Sequence, residues 1–586
     1  MPNPSPYPPK LTDDQRNALF PLTRPDPIAP GAFEIGLALG GTVSAGAYTG
    51  GVLDYIIEAL DTWTKAKEQG RPDAPRHDVI ISTMAGASGG GINGAIVARA
   101  AAYDFDRAVS EQNPFFSAWV RGVNLEKLLS TAPQKGVTGF SSVLNTTSIE
   151  DTARRSIQWS GRALGSGNSP RRRTYFTNPL RLIMMLGNVT GIPYSIPFKG
   201  ETNLEHDLVS HADYFRFAVA CDSDVPNAPA NRPDEFALHA GDATNWDFLE
   251  AAALATSAFP MAFRERQLTR RLESTACRVA VIPTDDGGAK TVQLVPKWET
   301  LLDGETIPGV THFVNVDGGS INNEPIDFVR MALAGVNGGN KRGGVEADRA
   351  IILIDPFSDA ETLYTNKPVG VLKIVLPFIQ SLIYQARFKP EDIALADADD
   401  VYSRFLVAPI GHANTDANVA GQRAIASGGL GGFLGFVDAA FLQYDYLLGR
   451  RNAHDFLRRE FTFPAANPIF KDKWPASEIA EQTIPYDGVP HLPMIPLMKE
   501  LRDNRPEVPA WPRLAAFPPN LAGQIEARLD AVYDMIMTEQ GANSILRFFG
   551  KFIWRSIRNS LRDKAVSAIG QALKDQGLCD SCGGDG

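Results

Sequence analysis

The stretch Val79-Ile80-Ile81-Ser82-Thr83-Met84-Ala85-Gly86-Ala87-Ser88-Gly89-Gly90-Gly91-Ile92-Asn93-Gly94 decides how the chain is read. Val79–Met84 is a short apolar run of the kind that forms a buried strand. Gly86-Ala87-Ser88-Gly89-Gly90 fits G-x-S-x-G, and a helix is expected from about Gly91 to Ala102. A nucleophile at the tip of a sharp strand-to-helix turn needs small neighbours, because that turn is crowded and often strained. The helix start supplies free N–H groups and positive potential where an oxyanion would develop. Ser88 is therefore the candidate nucleophile, framed by Gly86 and Gly90. The same residues carry a competing reading. Gly89-Gly90-Gly91-Ile92-Asn93-Gly94 satisfies G-x-G-x-x-G and would suit a nucleotide-binding α/β protein. That fingerprint calls for an acidic residue at the end of the next strand, whereas Asp104 and Asp106 fall at the end of the same expected helix.

Upstream lies a second unit of the same kind. Phe33–Leu39 reads as a strand, Gly40-Gly41-Thr42-Val43-Ser44-Ala45-Gly46 as a turn, and Val52, Tyr55, Ile56, Leu60 and Trp63 keep helical spacing. Two β-turn-α units within about 70 residues indicate a parallel, helix-covered sheet. Ile35–Leu53 and Val79–Ala98 lack charge, but their Gly, Ser, Thr and Asn content makes them poor membrane spans. Further strands are expected at Thr174–Thr177, Tyr214–Cys221, His312–Val316 and Ala350–Ile354. Arg278–Ile282 and Thr291–Val295 read as a hairpin around Asp285-Asp286-Gly287-Gly288. Residues 104–170 look helical, apart from a Ser/Gly/Arg loop at Ser166–Arg173. So does most of the chain from Pro356 to Phe461, apart from Arg404–Ala408.

A serine needs a base. The eight histidines are His77, His206, His211, His239, His312, His412, His454 and His491. An α/β-hydrolase order of Ser, acid, His would leave His412, His454 and His491, none in an evident strand-end loop. Asp317-Gly318-Gly319 directly follows the strand His312–Val316. An aspartate at a strand's carboxyl end faces the site, and desolvation can make it basic enough to deprotonate a serine. Taken alone, Asp317 reads first as the start of a turn.

Taken together, Gly40–Gly46, Gly86–Gly90 and Asp317–Gly319 resemble the patatin-like phospholipase family. Ala255-Thr256-Ser257-Ala258-Phe259-Pro260 looks like the family's segment upstream of its D-G-G or D-G-A, and Asn322-Asn323-Glu324-Pro325 like its continuation. The resemblance covers roughly residues 33–360. Asp445-Tyr446-Leu447-Leu448-Gly449-Arg450-Arg451-Asn452 resembles a segment of larger bacterial members, extending the match to about residue 461. The resemblance implies a three-layer α/β/α fold, a Ser88–Asp317 dyad without histidine, acyl-ester hydrolysis on phospholipids or neutral lipids through an acyl-enzyme, and no cofactor or metal. The family's oxyanion loop usually reads G-G-G-x-R/K-G. Here one residue is added, and Ala45 stands where the basic side chain would be. The donors are backbone N–H groups, with Gly40, Gly41, Thr42 and Val43 as candidates. The lost cation leaves a catalytically impaired, membrane-binding scaffold as the alternative.

The chain has 586 residues, 44% apolar and 21% charged, and net charge −10. That composition excludes a mainly disordered chain and argues against a dedicated nucleic-acid binder. The expected organisation is a Pro-rich extension (1–31), an acyl hydrolase domain with insertions (32–461), a Pro-rich irregular segment (462–520) and a helical C-terminal region (521–586). The first residues carry no apolar signal segment, so a cytoplasmic protein is expected. Four cysteines build no disulfide scaffold; Cys221 and Cys277 stand alone, so reduced thiols are the default, while Cys579-Asp580-Ser581-Cys582 is one C-x-x-C in a flexible tail with weak redox or metal potential.

Residues 545–564 place Phe549, Ile553, Ile557 and Leu561 four apart. Arg547, Lys551, Arg555, Arg558 and Arg562 form a neighbouring basic stripe, with Phe548 and Trp554 beside it. Such a helix suits peripheral contact with an anionic bilayer. It equally suits docking on the core with a solvated basic face. Leu372–Ala386 and Gly428–Leu448 read as core helices, and Asp397-Ala398-Asp399-Asp400 as an acidic turn lacking the Gly and Glu of a calcium loop.

Overall fold

The computed structural model describes most of residues 29–582. Residues 1–28, 158–170, 198–204, 222–234, 240–244, 284–288, 298–309, 335–339, 359–401, 412–417, 541–543 and 583–586, with a few single or paired positions, lie outside it. The expectations for the leader, for Leu372–Ala386, for Asp397–Asp400 and for the Asp285-Asp286-Gly287-Gly288 tip therefore fall outside the described residues.

The first two units form as the sequence predicts. β1 (Ala32–Leu39) leads through a glycine-rich turn into α1 (Gly46–Glu68), and β2 (Asp78–Gly86) into α2 (Gly89–Ala102). They join a nine-stranded mixed sheet with β3 (Phe176–Pro197), β4 (Glu205–Ala220), β5 (Glu235–His239), β6 (Arg266–Arg271), β9 (Val310–Asp317), β10 (Arg349–Ile354) and β11 (Arg404–Val407). The order is β11-β10-β1-β2-β3-β4-β5, with β9 on β3 and β6 on β9. β11, β10, β1, β2 and β3 run parallel, whereas β4, β9 and β6 bring antiparallel pairings. The hairpin β7 (Val279–Pro283) and β8 (Ala289–Gln293) stands apart.

Strand alternation sorts the side chains onto two faces. Ile35, Leu37 and Leu39 of β1 and Leu180, Leu182 and Met184 of β3 enter the main core. Ala38, Ile183, Met185 and Ile351 face the other way, under Ile326, Val329 and Leu333. Those last three residues belong to the helix Ile326–Ala334. Helices thus cover both faces, which gives the three-layer α/β/α fold. Further helices are α3 (Thr147–Ile157), α4 (Trp246–Thr256), α5 (the Ile326–Ala334 helix), α6 (Ala439–Arg459), α7 (Leu521–Glu539) and α8 (Ser544–Asp575).

α6 carries the Asp445–Asn452 segment and packs along α1. The approach is close: a β-carbon on Gly51 would lie 2.0 Å from the Tyr446 carbonyl oxygen, and one on Gly449 2.2 Å from that of Tyr48. Arg450 pairs with Asp54 and Glu58 across the contact, and Tyr446 donates to Asp54 at 2.6 Å.

Several regions differ from the expectation. Residues 104–157 hold α3 and short turns rather than continuous helix, because Asn113 and Asn124 cap pieces of three or four residues. Residues 410–411 and 418–437 form short strands and 3-10 turns, broken by glycines. The proline-rich 462–520 segment builds a three-stranded sheet, Thr462–Pro464, Val489–Pro493 and Ile484–Tyr486, with Phe463, Leu492 and Met494 in the main core.

The tail is also ordered where described. Gly577, at φ +63°, ends α8, and Leu578 N–H returns to Leu573 O at 2.8 Å, so Leu573 and Leu578 are buried together. Cys579 and Cys582, the C-x-x-C pair, form a disulfide with their α-carbons 5.5 Å apart. Cys221 is buried, with its Sγ 3.7 Å from the Val219 carbonyl.

Candidate active site

Register builds the site. Leu39, the last residue of β1, lies opposite Gly86, the last of β2, so the two glycine turns leave the sheet side by side. Gly86 in turn faces Met184 of β3, and Asp317 at the end of β9 faces Leu186 two residues on. Ser88 and Asp317, far apart in sequence, therefore meet above the strand ends.

Ser88 sits between β2 and α2 with φ +50° and ψ −126°, a strained conformation for a residue with a β-carbon. The glycines around it leave no alternative. A β-carbon on Gly90 would lie 2.3 Å from the Leu39 carbonyl oxygen, and one on Gly86 2.7 Å from that of Gly90. Ser88 Oγ donates to Asp317 Oδ2 at 2.7 Å, and Gly319 N–H donates to Asp317 Oδ1 at 2.7 Å. Both side chains are nearly buried. Burial pushes the Asp317 carboxyl up to about 7, although the Ser88 and Gly319 hydrogen bonds pull the other way. A carboxylate poised there is suited to accept a proton near neutral pH.

The Ala255–Pro260 segment holds both groups. Thr256 Oγ1 accepts the Ser88 N–H at 2.9 Å, and the Ala258 carbonyl accepts the Asp317 N–H at 3.0 Å. The sequence marks this segment without revealing that role. It gives no sign of Asn93, whose Nδ2 donates to the Gly46 and Gly89 carbonyls while Oδ1 accepts from Trp119 Nε1, tying α2 to the start of α1. Asn323 belongs to the segment after Asp317, and its carbonyl accepts the Gly41 N–H at 3.2 Å.

That last bond bears on the oxyanion loop. Gly40 N–H is also spent, on the Ile354 carbonyl at 3.0 Å. Both groups complete backbone pairing and have no proton left for a substrate oxygen. Thr42 and Val43 N–H make no backbone hydrogen bond among the described residues. Val43 has φ +47°, which turns the chain sharply into α1. Ala45 is fully buried and brings no charge to the loop. The loop is braced instead by Ser44 Oγ, which donates to the Gly432 carbonyl.

Ser88 and Asp317 line a small, partly open cavity of about 70 Å³. Its walls are apolar: Ile92 and Trp119, Ile149 and Ile157 of α3, Leu254, and Phe259 and Phe263. No histidine lines it among the described residues. His77 is packed between Trp63 and Trp474 and bonds to the Met494 carbonyl; His454 sits beside Asp455. The glycines of the competing nucleotide fingerprint, Gly89–Gly94, lie inside α2 rather than in a loop before it.

A strand-elbow serine bonded to a strand-end aspartate, on a three-layer sheet, defines a class of acyl hydrolase fold. The sequence profile of the patatin-like phospholipase family matches residues 37–330, and the chain belongs to that family. The uncharacterized protein y4iI of Sinorhizobium fredii (strain NBRC 101917 / NGR234) is 33% identical over 582 residues, covering 91% of this chain and 80% of its own length. The crystal structure of VipD from Legionella pneumophila covers 92% of this chain and 88% of its own, at 11% identity and a TM-score of 0.23. Family membership makes the chain a lipid hydrolase in general terms, with a lipid substrate. No described helix is long and apolar enough to cross a membrane.

Proposed function

We propose that this chain is a serine lipid acyl hydrolase of the phospholipase A or lysophospholipase type, with Ser88 as nucleophile and Asp317 as general base. The observation that carries the reading is the 2.7 Å Ser88–Asp317 hydrogen bond on the wall of an apolar cavity. The acyl chain lies among Ile92, Ile149, Ile157 and Phe263, and the ester carbonyl sits over Ser88. Asp317 takes the hydroxyl proton as Oγ bonds the carbonyl carbon. The oxyanion faces Thr42 and Val43 N–H and the start of α2. Collapse breaks the ester bond, and Asp317 returns the proton to the leaving oxygen. Water, deprotonated by Asp317, then releases the fatty acid from the acyl-enzyme. No step requires a metal or cofactor.

The enzyme works as a peripheral protein at the membrane. At α8 the arginine stripe is partly occupied: Arg558 pairs with Glu526 and Asp530, and Arg562 with Glu526, while Trp554 stacks on Tyr533. Ile557 and Leu561 point outward, 47% and 42% exposed. Contact through α8 would therefore use its apolar residues more than Arg558 and Arg562. Side chains of 545–553 lie outside the described set.

The test is fatty-acid release from mixed phospholipid vesicles by wild type, Ser88→Ala and Asp317→Asn. Release by wild type that disappears in both variants is expected. Release surviving in both would place the nucleophile elsewhere. A folded wild type that releases nothing from any acyl ester would favour the impaired scaffold.

A further inference from the structure

Two loops next to cavity-lining residues push large apolar side chains into solvent: Met261 lies between Phe259 and Phe263, and Leu430 lies two residues before Gly432, which abuts Val43. Met261 is 73% exposed, the highest value among the exposed large apolar residues described, and Leu430 is 40% exposed. Both have positive φ, +68° and +54°. Glycine adopts such angles freely, whereas a side chain there is strained. Leu430 interrupts a glycine run, Gly428-Gly429-Leu430-Gly431-Gly432. Neither side chain is needed to fill a core, and both sit where the backbone alone would favour glycine.

The loops are not loosely held. Val143 N–H donates to the Met261 carbonyl at 2.9 Å and Leu144 N–H to that of Ala262 at 3.1 Å. Arg528 of α7 in turn donates to the carbonyls of Ser130, Ser142 and Val143. Phe433, three residues beyond Leu430, packs against Phe259 and Phe263 at 6.0 and 5.9 Å between ring centres. Phe259 and Phe263 line the cavity, so both loops are anchored next to its apolar wall.

We infer that Met261 and Leu430 form a contact for a phospholipid bilayer, through which the cavity mouth docks on the lipid surface. The inference rests on the lipid hydrolase reading. Each methylene of an acyl chain that crosses water opposes transfer, so a chain can leave the bilayer for the cavity only along an apolar path. Side chains inserted among the outer methylenes provide one. The charges next to Met261 largely offset one another: Arg264 and Arg266 share Glu150, at 3.3 and 2.8 Å, and Glu265 lies beside Arg266. Binding should therefore be strong on zwitterionic vesicles and depend weakly on salt.

The test is flotation with phosphatidylcholine vesicles, using Ser88→Ala protein so that no hydrolysis alters the lipid. Adding Met261→Gly and Leu430→Gly relieves the backbone and removes the apolar contact, so folding is retained while partition falls by about a hundredfold. Met261→Leu should keep it. With Ser88 present, the ratio of vesicle turnover to turnover of a monomeric short-chain ester should fall in step. Unchanged partition in the glycine variants overturns the proposal. So does a dimer in sedimentation velocity that the same variants dissolve, because the rim would then cover a second copy. Rim-dependent flotation by a protein that hydrolyses neither substrate keeps the rim and removes the hydrolase.

Discussion

Asp317 at the end of β9 and Asp445 inside α6 are both buried, and burial pushes both carboxyls up to about 7. Their surroundings separate them. Asp317 reaches a hydroxyl on a cavity wall. Asp445 accepts the N–H groups of Ala426 and Ser427, at 2.7 and 3.0 Å, and lies outside the cavity lining. It holds the start of the loop that carries Leu430, Gly432 and Phe433. A raised pKa therefore marks burial in both places and points to chemistry only where a reacting group and an open space accompany it.

Activity should divide the pair most sharply. Asp317→Asn keeps the shape but cannot accept the serine proton, so turnover should fall by at least about a thousandfold. Asp445→Asn should stay within about tenfold of wild type. Initial rates on a monomeric ester check both. Equal losses in two folded variants would erase the distinction.

The legible part of this architecture follows from local constraints. β1, β2, α1 and α2 are short-range patterns, and the elbow can be read because so few residue types fit beside Ser88. Asp317 stood out through its strand and the glycines after it, together with the family resemblance. What escaped depends on long-range partners. Nothing local says that Gly40 and Gly41 spend their N–H groups on Ile354 and Asn323, or that Thr256 and Ala258 hold the two reacting residues. The proline-rich 462–520 segment looked irregular because prolines weaken strand signals, yet Pro464, Pro485, Pro490 and Pro493 all sit in a small three-stranded sheet. The C-terminal cysteines were masked by a glycine-rich composition that suggests a loose end.

Stability carries the contrast further. The Asp317 pKa is raised in the folded state, from 3.8 to about 7. The unfolded chain therefore loses that proton first as pH rises, and folding stability drains away between about pH 4 and pH 7, then stays level. The cost approaches roughly 4 kcal/mol at about 1.4 kcal/mol per unit. Asp317→Asn removes it, so the inactive variant should resist urea better than wild type at pH 8, with no advantage below pH 4. Equal stability at both pH values would mean that burial of Asp317 is relieved by solvent.

The pH dependence of turnover should follow the same group. The base must be ionised, so kcat/KM should rise about tenfold per unit below pH 7 and then level off, a change of about a hundredfold between pH 5 and pH 8. Asp445→Asn should leave that profile in place. A profile that flattens in Asp445→Asn would make the second carboxyl the controlling one.

The smallest expected effect belongs to Asp445 itself. At pH 5 its carboxyl is neutral in the folded protein, so removing it costs only hydrogen bonds and packing. Asp445→Ala leaves the buried Ala426 and Ser427 N–H groups without an acceptor, a loss of about 2 kcal/mol. At pH 8 wild type already bears the cost of a buried charge, so the loss should shrink. Urea unfolding of the variant at the two pH values reads both quantities. A loss that grows with pH instead would show that the N–H pair more than compensates the charge. Asp445 would then be a carboxylate stabilised in its ionised form, unlike Asp317.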